Sequence, residues 1–367
     1  MSGPGALEKI ELSGFKSIKK LDLEMRDLNI LIGPNGSGKS NFINFFQFMY
    51  KIVQKDLQFY VSSKGGADPF LHFGKKETPE IKIKLYFPPN SYEAILSATQ
   101  DDSLIFKQEK CWFHGDQKIN YIDRTDLHEL AAPGSKESGL PLPGTFRAPN
   151  HVARYLMDWK VYHFHDTSET AKVKGQNSIH DNQQFSSQGE NLAAFLFSIQ
   201  DKPAYTKIIE TIQRMAPFFH SFILHPEKNA PDSIRLRWKH KGSDAYFDAH
   251  SLSDGTLRFI CLTTLLLQPK LPTMILLDEP ELGLHPYAIQ LLGGMLKSAA
   301  SNQKTQIIAS TQSVTLANQL DWQDLIIVEQ IDNASRFSRL TEENVKSWLD
   351  DYKIGDMWEK NLIGGTP

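Results

Sequence analysis

The sequence predicts an α/β fold with a parallel sheet at its centre, and three observations predict it. An apolar run of Leu28, Asn29, Ile30, Leu31 and Ile32 leads into Gly33-Pro34-Asn35-Gly36-Ser37-Gly38-Lys39-Ser40. Phe42, Phe45, Phe46 and Met49 then follow at helical spacing. A second unbroken apolar run, residues 273–277, ends on Asp278 and Glu279 and has the length of a buried parallel strand. Between these two, residues 80–87 alternate strictly between apolar and polar side chains, the pattern of a strand with one wet face. Strand, glycine-rich loop and helix in that order form a P-loop, so the class is a P-loop NTPase with a mixed sheet.

In chain order, residues 7–18 suit a first strand turning at Gly14, residues 21–25 a second, and residues 28–32 the strand entering the P-loop. Residues 62–69 read as a boundary loop. Residues 91–120 continue the alternating style and predict further antiparallel strands. Residues 131–150 are rich in Pro, Gly and Ser and predict a long, mobile loop. Residues 160–165 return to strand character, 175–189 are loop-like, and 191–199 and 205–215 show helical spacing. Residues 234–240 predict a strand and 257–267 an apolar helix. A helix with Pro286 in its first turn follows, then strands at 306–309 and 325–328 and a helix near 342–349. The expected organisation is therefore 1–67 and 251–340 as the two parts of a P-loop NTPase head. Residues 68–160 form an inserted β-rich arm, 161–250 a helical lobe with connecting strands, and 341–367 a C-terminal helix and tail.

The 367 residues are 40% hydrophobic and 23% charged, enough for a sizeable core. A net charge of −3 gives no global attraction to nucleic acid, so any such contact is a local patch. The two cysteines, Cys111 and Cys261, fit a reducing compartment and read as packed. No apolar run reaches the length of a membrane span, residues 1–6 read as a leader, and a cytoplasmic location is expected.

The chemistry starts at the P-loop. Glycines let backbone N–H groups wrap an anion, and the helix opening near Lys39 aims its dipole and free N–H groups at the same point. Asn35, Gly36, Ser37, Gly38, Lys39, Ser40 and Asn41 are the predicted nucleotide-binding set. Lys39 would reach the β- and γ-phosphates and the Ser40 hydroxyl would ligate Mg²⁺. An acidic pair at the end of a buried strand is costly without a nearby cation. In a P-loop enzyme Asp278 would hold Mg²⁺ through its water shell, and Glu279 would orient and polarise the attacking water. About 240 residues separate the two motifs, so something large lies between them. Other features have plainer explanations. His163 and His165 alternate on a predicted strand, and Arg235, Arg237, Lys239 and Lys241 share one strand face that is either solvated or set against DNA phosphates.

Ser251-Leu252-Ser253-Asp254-Gly255-Thr256, some 25 residues ahead of Asp278, resembles the signature motif of ABC-type ATPases of the RecF/SMC/OLD-like branch. The resemblance covers most of residues 7–330. In that family the signature of one subunit closes on nucleotide held by the P-loop of another. It therefore implies ATP and Mg²⁺ as cofactors and a homodimer in which Ser253 and Gly255 meet the γ-phosphate. Asp254 departs from the common Gly-Gly form; a carboxylate there caps the helix start but would repel a triphosphate, and the Ser-Asp-Gly-Thr form resembles the OLD-like branch. Residues 282–286 fit the loop that crosses the dimer interface. Residues 307–313 fit the switch strand, where Gln312 stands in place of the family's histidine as a non-titrating hydrogen-bond donor, which implies slow hydrolysis. In the first-strand turn, Lys16 is either a nucleotide contact or a surface lysine. The family's glutamine loop is expected near residues 165–168.

About 85 residues separate Asp166 from Ser251 without heptads, against the coiled coil of an SMC protein, and fewer than about 50 follow Leu320, against an appended Toprim domain. The resemblance thus implies a stand-alone head acting as an ATP-gated switch, with a separate nuclease-like effector in phage defence. A RecF-like DNA-repair ATPase and a nucleotide-dependent scaffold with negligible hydrolysis are the alternatives; nucleic acid is a candidate partner and a membrane is not.

Overall fold

The computed structural model describes residues 6–113, 126–140, 147–302 and 305–365. In chain order the first half comprises β1 (Lys9–Phe15), β2 (Ile18–Glu24), β3 (Leu28–Ile32), α1 (Lys39–Val53), α2 (Leu57–Ser63), β4 (Glu80–Phe87), β5 (Asn90–Ala98), β6 (Leu104–Phe113), β7 (Asp126–Glu129), α3 (Arg147–Met157) and β8 (Trp159–Tyr162). The middle comprises β9 (Gln176–Ser178), α4 (Leu192–Ile199), α5 (Pro203–Met215), β10 (Phe219–Ile223), β11 (Pro226–Glu227), β12 (Ala230–Arg235), β13 (Arg237–His240) and β14 (Tyr246–Asp248). The last part comprises α6 (Asp254–Leu267), β15 (Met274–Asp278), α7 (Pro286–Asn302), β16 (Gln306–Thr311), α8 (Val314–Ala317), β17 (Leu325–Ile331), β18 (Ala334–Arg339), α9 (Glu342–Val345) and α10 (Ile354–Glu359).

The central sheet runs β18-β17-β3-β16-β15-β8, parallel throughout except for β18. Its inner strands β3, β15 and β16 are largely apolar because both faces are covered. Ile30, Ile32, Ile275, Leu277, Ile307 and Ala309 face a core completed by α4, α6 and α7. Leu31, Met274, Leu276 and Ile308 face the opposite core, built on α1, α3 and the second sheet. Side chains alternate in β structure, so one apolar run serves two cores. That second sheet is antiparallel, in the order β2-β1-β4-β5-β6-β7. Helix α1 lies between the sheets, with Phe42, Phe45 and Phe46 fully buried and Phe46 packed edge-on to Phe42 and against Trp159.

Several expectations change. Within the inserted β-rich stretch 68–160, β4 pairs with β1, so strands β4 to β7 complete the sheet that the N-terminal strands begin. The same alternating pattern serves a free-standing meander or an extension of an existing sheet, and the pairing partner decides. The stretch 131–150 is not loop throughout, because α3 starts at Arg147 and admits Pro149 in its first turn, where no intrahelical N–H is required; residues 141–146, like 114–120 of the expected strands, lie outside the described residues. The turn after β1 falls at Lys16 rather than Gly14, which stays in the strand and must be glycine there because a Cβ would overlap the Glu80 carbonyl oxygen. Arg235, Arg237, Lys239 and Lys241 do not share one strand. Arg235 ends β12 beside Gln176, Leu236 is buried at the junction, and Arg237 opens β13 beside Ile223. Two of these cations are already matched, Arg237 to Glu227 at 2.8 Å and Lys239 to Asp244 at 3.2 Å. The C-terminal helix is shorter than expected, ending at Val345, and α10 follows it. No helix among the described residues is long and apolar enough to cross a membrane.

Asp324 sits half-buried at the entry to β17. Burial raises its carboxyl and Asp321 adds to the effect, and against the pull of Arg26, Lys297 and Arg339 it reaches about 6, from an ordinary 3.8. The folded chain therefore holds an extra proton between these values. Its contribution to stability should be fullest below about pH 4 and decline as pH rises towards 6. Unfolding free energies measured by chemical denaturation across pH 4–7 should show this slope, and Asp324→Asn should flatten it.

Candidate functional site

Three neighbouring strands end level with one another. Ile32 of β3 stands opposite Thr311 of β16, and Ser310 stands opposite Asp278 of β15. The carboxyl ends of such strands are where open α/β sheets bind ligands. The P-loop leaves β3 through Gly33, Gly36 and Gly38, all at positive φ. Two of these glycines are fixed by close approach: a Cβ on Gly33 would overlap the Val328 carbonyl oxygen, and one on Gly38 the Ser335 hydroxyl. That hydroxyl donates to the Ser37 carbonyl at 2.6 Å, and the Ser335 amide donates to the Ser17 carbonyl at 2.7 Å. Strand β18 and the turn after β1 thus brace the loop from behind. Asn41 belongs to this brace, its side-chain amide donating to Ser17 Oγ at 2.7 Å. Asn35, Gly36 and Ser40 are exposed, while Ser37, Gly38 and Lys39 are buried. The Ser37 hydroxyl is buried without a partner among the described residues, an unmet polar atom inside the loop.

Lys39 Nζ donates to the carbonyls of Gly33 at 2.7 Å and Pro34 at 2.9 Å. Burial lowers its pKa, and Glu279, Asp278 and Glu281 pull it back up. Asp278 accepts the Ser310 hydroxyl on Oδ1, and its backbone carbonyl accepts His165 Nε2–H at 2.9 Å. Glu279 has a left-handed backbone, φ 45°, and its amide donates to Ser310 O and Oγ, each at 3.1 Å. The Gln312 side-chain amide donates to Glu279 Oε1. Asp278, Glu279, Gln312 and Lys39, four candidates taken from distant parts of the sequence, are thereby brought to one place. Glu281 joins them, with Oε1 accepting Thr311 Oγ1 at 2.5 Å and the Gln312 amide at 3.1 Å; burial raises its carboxyl against these donors. Three carboxylates against one ammonium leave an excess of negative charge suited to a divalent cation. No group of three or more His, Cys, Asp or Glu among the described residues is placed to enclose a metal. A Mg²⁺ held through Asp278 and Ser40 would therefore take its remaining ligands from phosphate and water, the habit of that ion.

Ser253 caps α6, its hydroxyl accepting the Thr256 amide at 3.3 Å. Asp254 is exposed, and buried Lys174 lies 3.9 Å from it, a cation that offsets the charge foreseen as repulsive. Gly255 allows the backbone of Gly283 to approach, since a Cβ would lie 2.6 Å from its oxygen. No hydrogen bond or ion pair among the described residues joins Ser253 or Gly255 to the P-loop of the same chain. The Lys16 ammonium lies over the rings of Phe15 and Phe70 at 5.9 and 5.8 Å, where burial and Lys64 lower its pKa.

Sequence reasoning missed Glu281, Lys174 and Arg258. Arg258 is buried in α6, with Nε donating to the Phe164 carbonyl at 3.0 Å, Nη2 to the His165 carbonyl at 3.1 Å and Nη1 to the Leu282 carbonyl. It ties the signature helix to both loops flanking the acidic strand end. An arginine within an otherwise apolar helix was the available signal.

Fold and site together define a P-loop ATPase head of the ABC type, as in SMC and OLD proteins. The chain belongs to the family described as AAA domain, putative AbiEii toxin, Type IV TA system, which matches residues 28–318. It is 24% identical over 379 residues to the OLD nuclease of Thermus scotoductus, a match covering 96% of this chain and 68% of that protein. A stretch of 44 residues, 12% of this chain and 4% of the other, is 52% identical to the chromosome partition protein Smc of Methanocaldococcus jannaschii. The fold is that of the Smc head bound to the C-terminal winged-helix domain of ScpA, at a TM-score of 0.58 and 15% identity over 93% of this chain and 99% of that one. The Smc head with an extended coiled coil bound to the C-terminal domain of ScpA from Pyrococcus furiosus gives a TM-score of 0.52 at 15% identity, over 94% and 98%. Use of a nucleotide with Mg²⁺ comes with this class.

Replacing Arg258 by Met should leave three carbonyls without their donor and cost about 2–4 kcal/mol of stability. Chemical denaturation of the two proteins would measure the difference, and Arg258→Lys should recover only part of it because one ammonium cannot span the same fork.

Proposed function

We propose that the chain is an ATP-gated dimeric switch that hydrolyses ATP slowly. One observation carries this reading. The P-loop, Asp278, Glu279 and Gln312 converge at one set of strand ends, while the signature serine caps a helix with no hydrogen bond or ion pair to that P-loop among the described residues. A second copy supplying its own Ser253 and Gly255 would complete the pocket, giving two sites per dimer.

In this reading the P-loop amides and the start of α1 hold the phosphates, with Lys39 turning from the Gly33 and Pro34 carbonyls to the β- and γ-oxygens. Mg²⁺, when bound through Ser40 and Asp278, supplies charge neutralisation on the phosphates. Glu279 accepts a hydrogen bond from the attacking water and draws off its proton as the oxygen approaches phosphorus. Gln312 holds Glu279 by its side-chain amide but cannot carry charge, which keeps turnover slow. Closure or its release alters a surface read by a partner. The family's description as a putative toxin, together with the nuclease relative aligned along 96% of this chain, supports a role in cytoplasmic antiviral defence beside a separate nuclease or toxin effector.

Lys39→Ala should abolish nucleotide binding. Glu279→Gln should bind ATP but turn it over roughly 10²-fold more slowly, a loss in the range of a removed general base, and should accumulate as a dimer with ATP and Mg²⁺. Ser253→Arg in that background should keep nucleotide affinity and lose the dimer. Sedimentation with a fluorescent ATP analogue reads both quantities, and a Glu279→Gln protein that stays monomeric at saturating ATP would overturn the proposal.

A further inference from the structure

Glu281 has no role in the reaction as derived above, yet its surroundings are unusual. Its side chain is 8% exposed, Oε1 takes two donors, and Oε2 has no partner among the described residues. A half-satisfied carboxylate in such a place is costly, and an apolar residue would fill the same volume more cheaply. Its return is geometric. The acidic strand end grips the last two residues of β16 and the one after it: Ser310 through Asp278 Oδ1 and the Glu279 amide, then Thr311 and Gln312 through Glu281 Oε1. From the Gln312 amide the contacts return, because the Gln312 side chain donates to Glu279 Oε1. Residues 279–281 and Gln312 thus close a ring, and Thr311 anchors it to the P-loop strand opposite Ile32.

We propose that Glu281 is a positioning residue for hydrolysis, fixing the backbone of Gln312 so that its side-chain amide holds the Glu279 carboxylate in its working orientation. Glu281 touches neither nucleotide nor attacking water in this role. The inference rests on the reading that Glu279 and Gln312 serve hydrolysis.

The test is a double-mutant cycle on the full chain, with steady-state ATPase kinetics and nucleotide affinity for Glu281→Met, Gln312→Ala and the pair. Methionine keeps the volume and removes the acceptor; Glu281→Ala replaces it if the methionine variant fails to fold. Glu281→Met should lower kcat at least tenfold with KM within threefold. In the Gln312→Ala background the same change should cost less than twofold. Glu281→Gln, which keeps an oxygen facing Thr311 and Gln312, should restore kcat to within threefold of the parent. Equal losses in both backgrounds, or a Glu281→Gln protein as slow as Glu281→Met, would overturn the inference while leaving the catalytic reading of the site intact. An unchanged kcat in Gln312→Ala would overturn that reading itself, and this inference with it.

Discussion

A buried ammonium held by two loop carbonyls and facing the field of nearby carboxylates, at the ends of three parallel strands, is the constraint the rest of the structure serves. Lys39 loses hydration on entering the fold and regains only part of it from two loop carbonyls. Its remaining stabilisation comes from Asp278, Glu279 and Glu281, each of which is costly to bury alone. These opposite charges come near one another because β3, β15 and β16 end level and the loop returns on itself. Glycine is demanded at Gly33 and Gly38 by that return, since Val328 and Ser335 press against the backbone from behind.

Two cores hold this arrangement in place. The central sheet is coated on one face by α4, α6 and α7 and on the other by α1, α3 and the antiparallel sheet. The phenylalanines of α1 therefore do more than fill space: Phe42, Phe45 and Phe46 set the height of the helix whose first turn carries Lys39 and Ser40. A helix fixed by such packing presents its N-terminal amides in one orientation, and phosphate recognition at a helix start depends on that.

The signature helix is coupled to the acidic strand end by side chains outside either motif. Arg258 reaches the carbonyls of Phe164, His165 and Leu282, so a shift of α6 is felt on both sides of Asp278. Lys174 meets the charge of Asp254 at the start of the same helix. These contacts give the departure from a Gly-Gly signature a local electrostatic explanation. They also couple the signature helix to the loops beside Asp278 through a buried guanidinium with three fixed acceptors.

Local pattern determined the P-loop, the acidic strand end, the signature helix and most of the strands, because each depends on backbone freedom at glycine or on unbroken apolar runs that neighbours in sequence decide. The α/β class followed from the same runs. Tertiary structure alone decided that strands β4 to β7 extend the N-terminal sheet, since alternation specifies a wet face but not a pairing partner. It alone separated Arg235 from Arg237 at a buried Leu236, because period-two spacing continues unbroken through a change of sheet. It drew Gln312 onto Glu279 and Glu281 under both, residues whose spacing of about 30 along the chain carries no signal. Contacts of that kind are fixed by strand register, and register is a property of the assembled sheet.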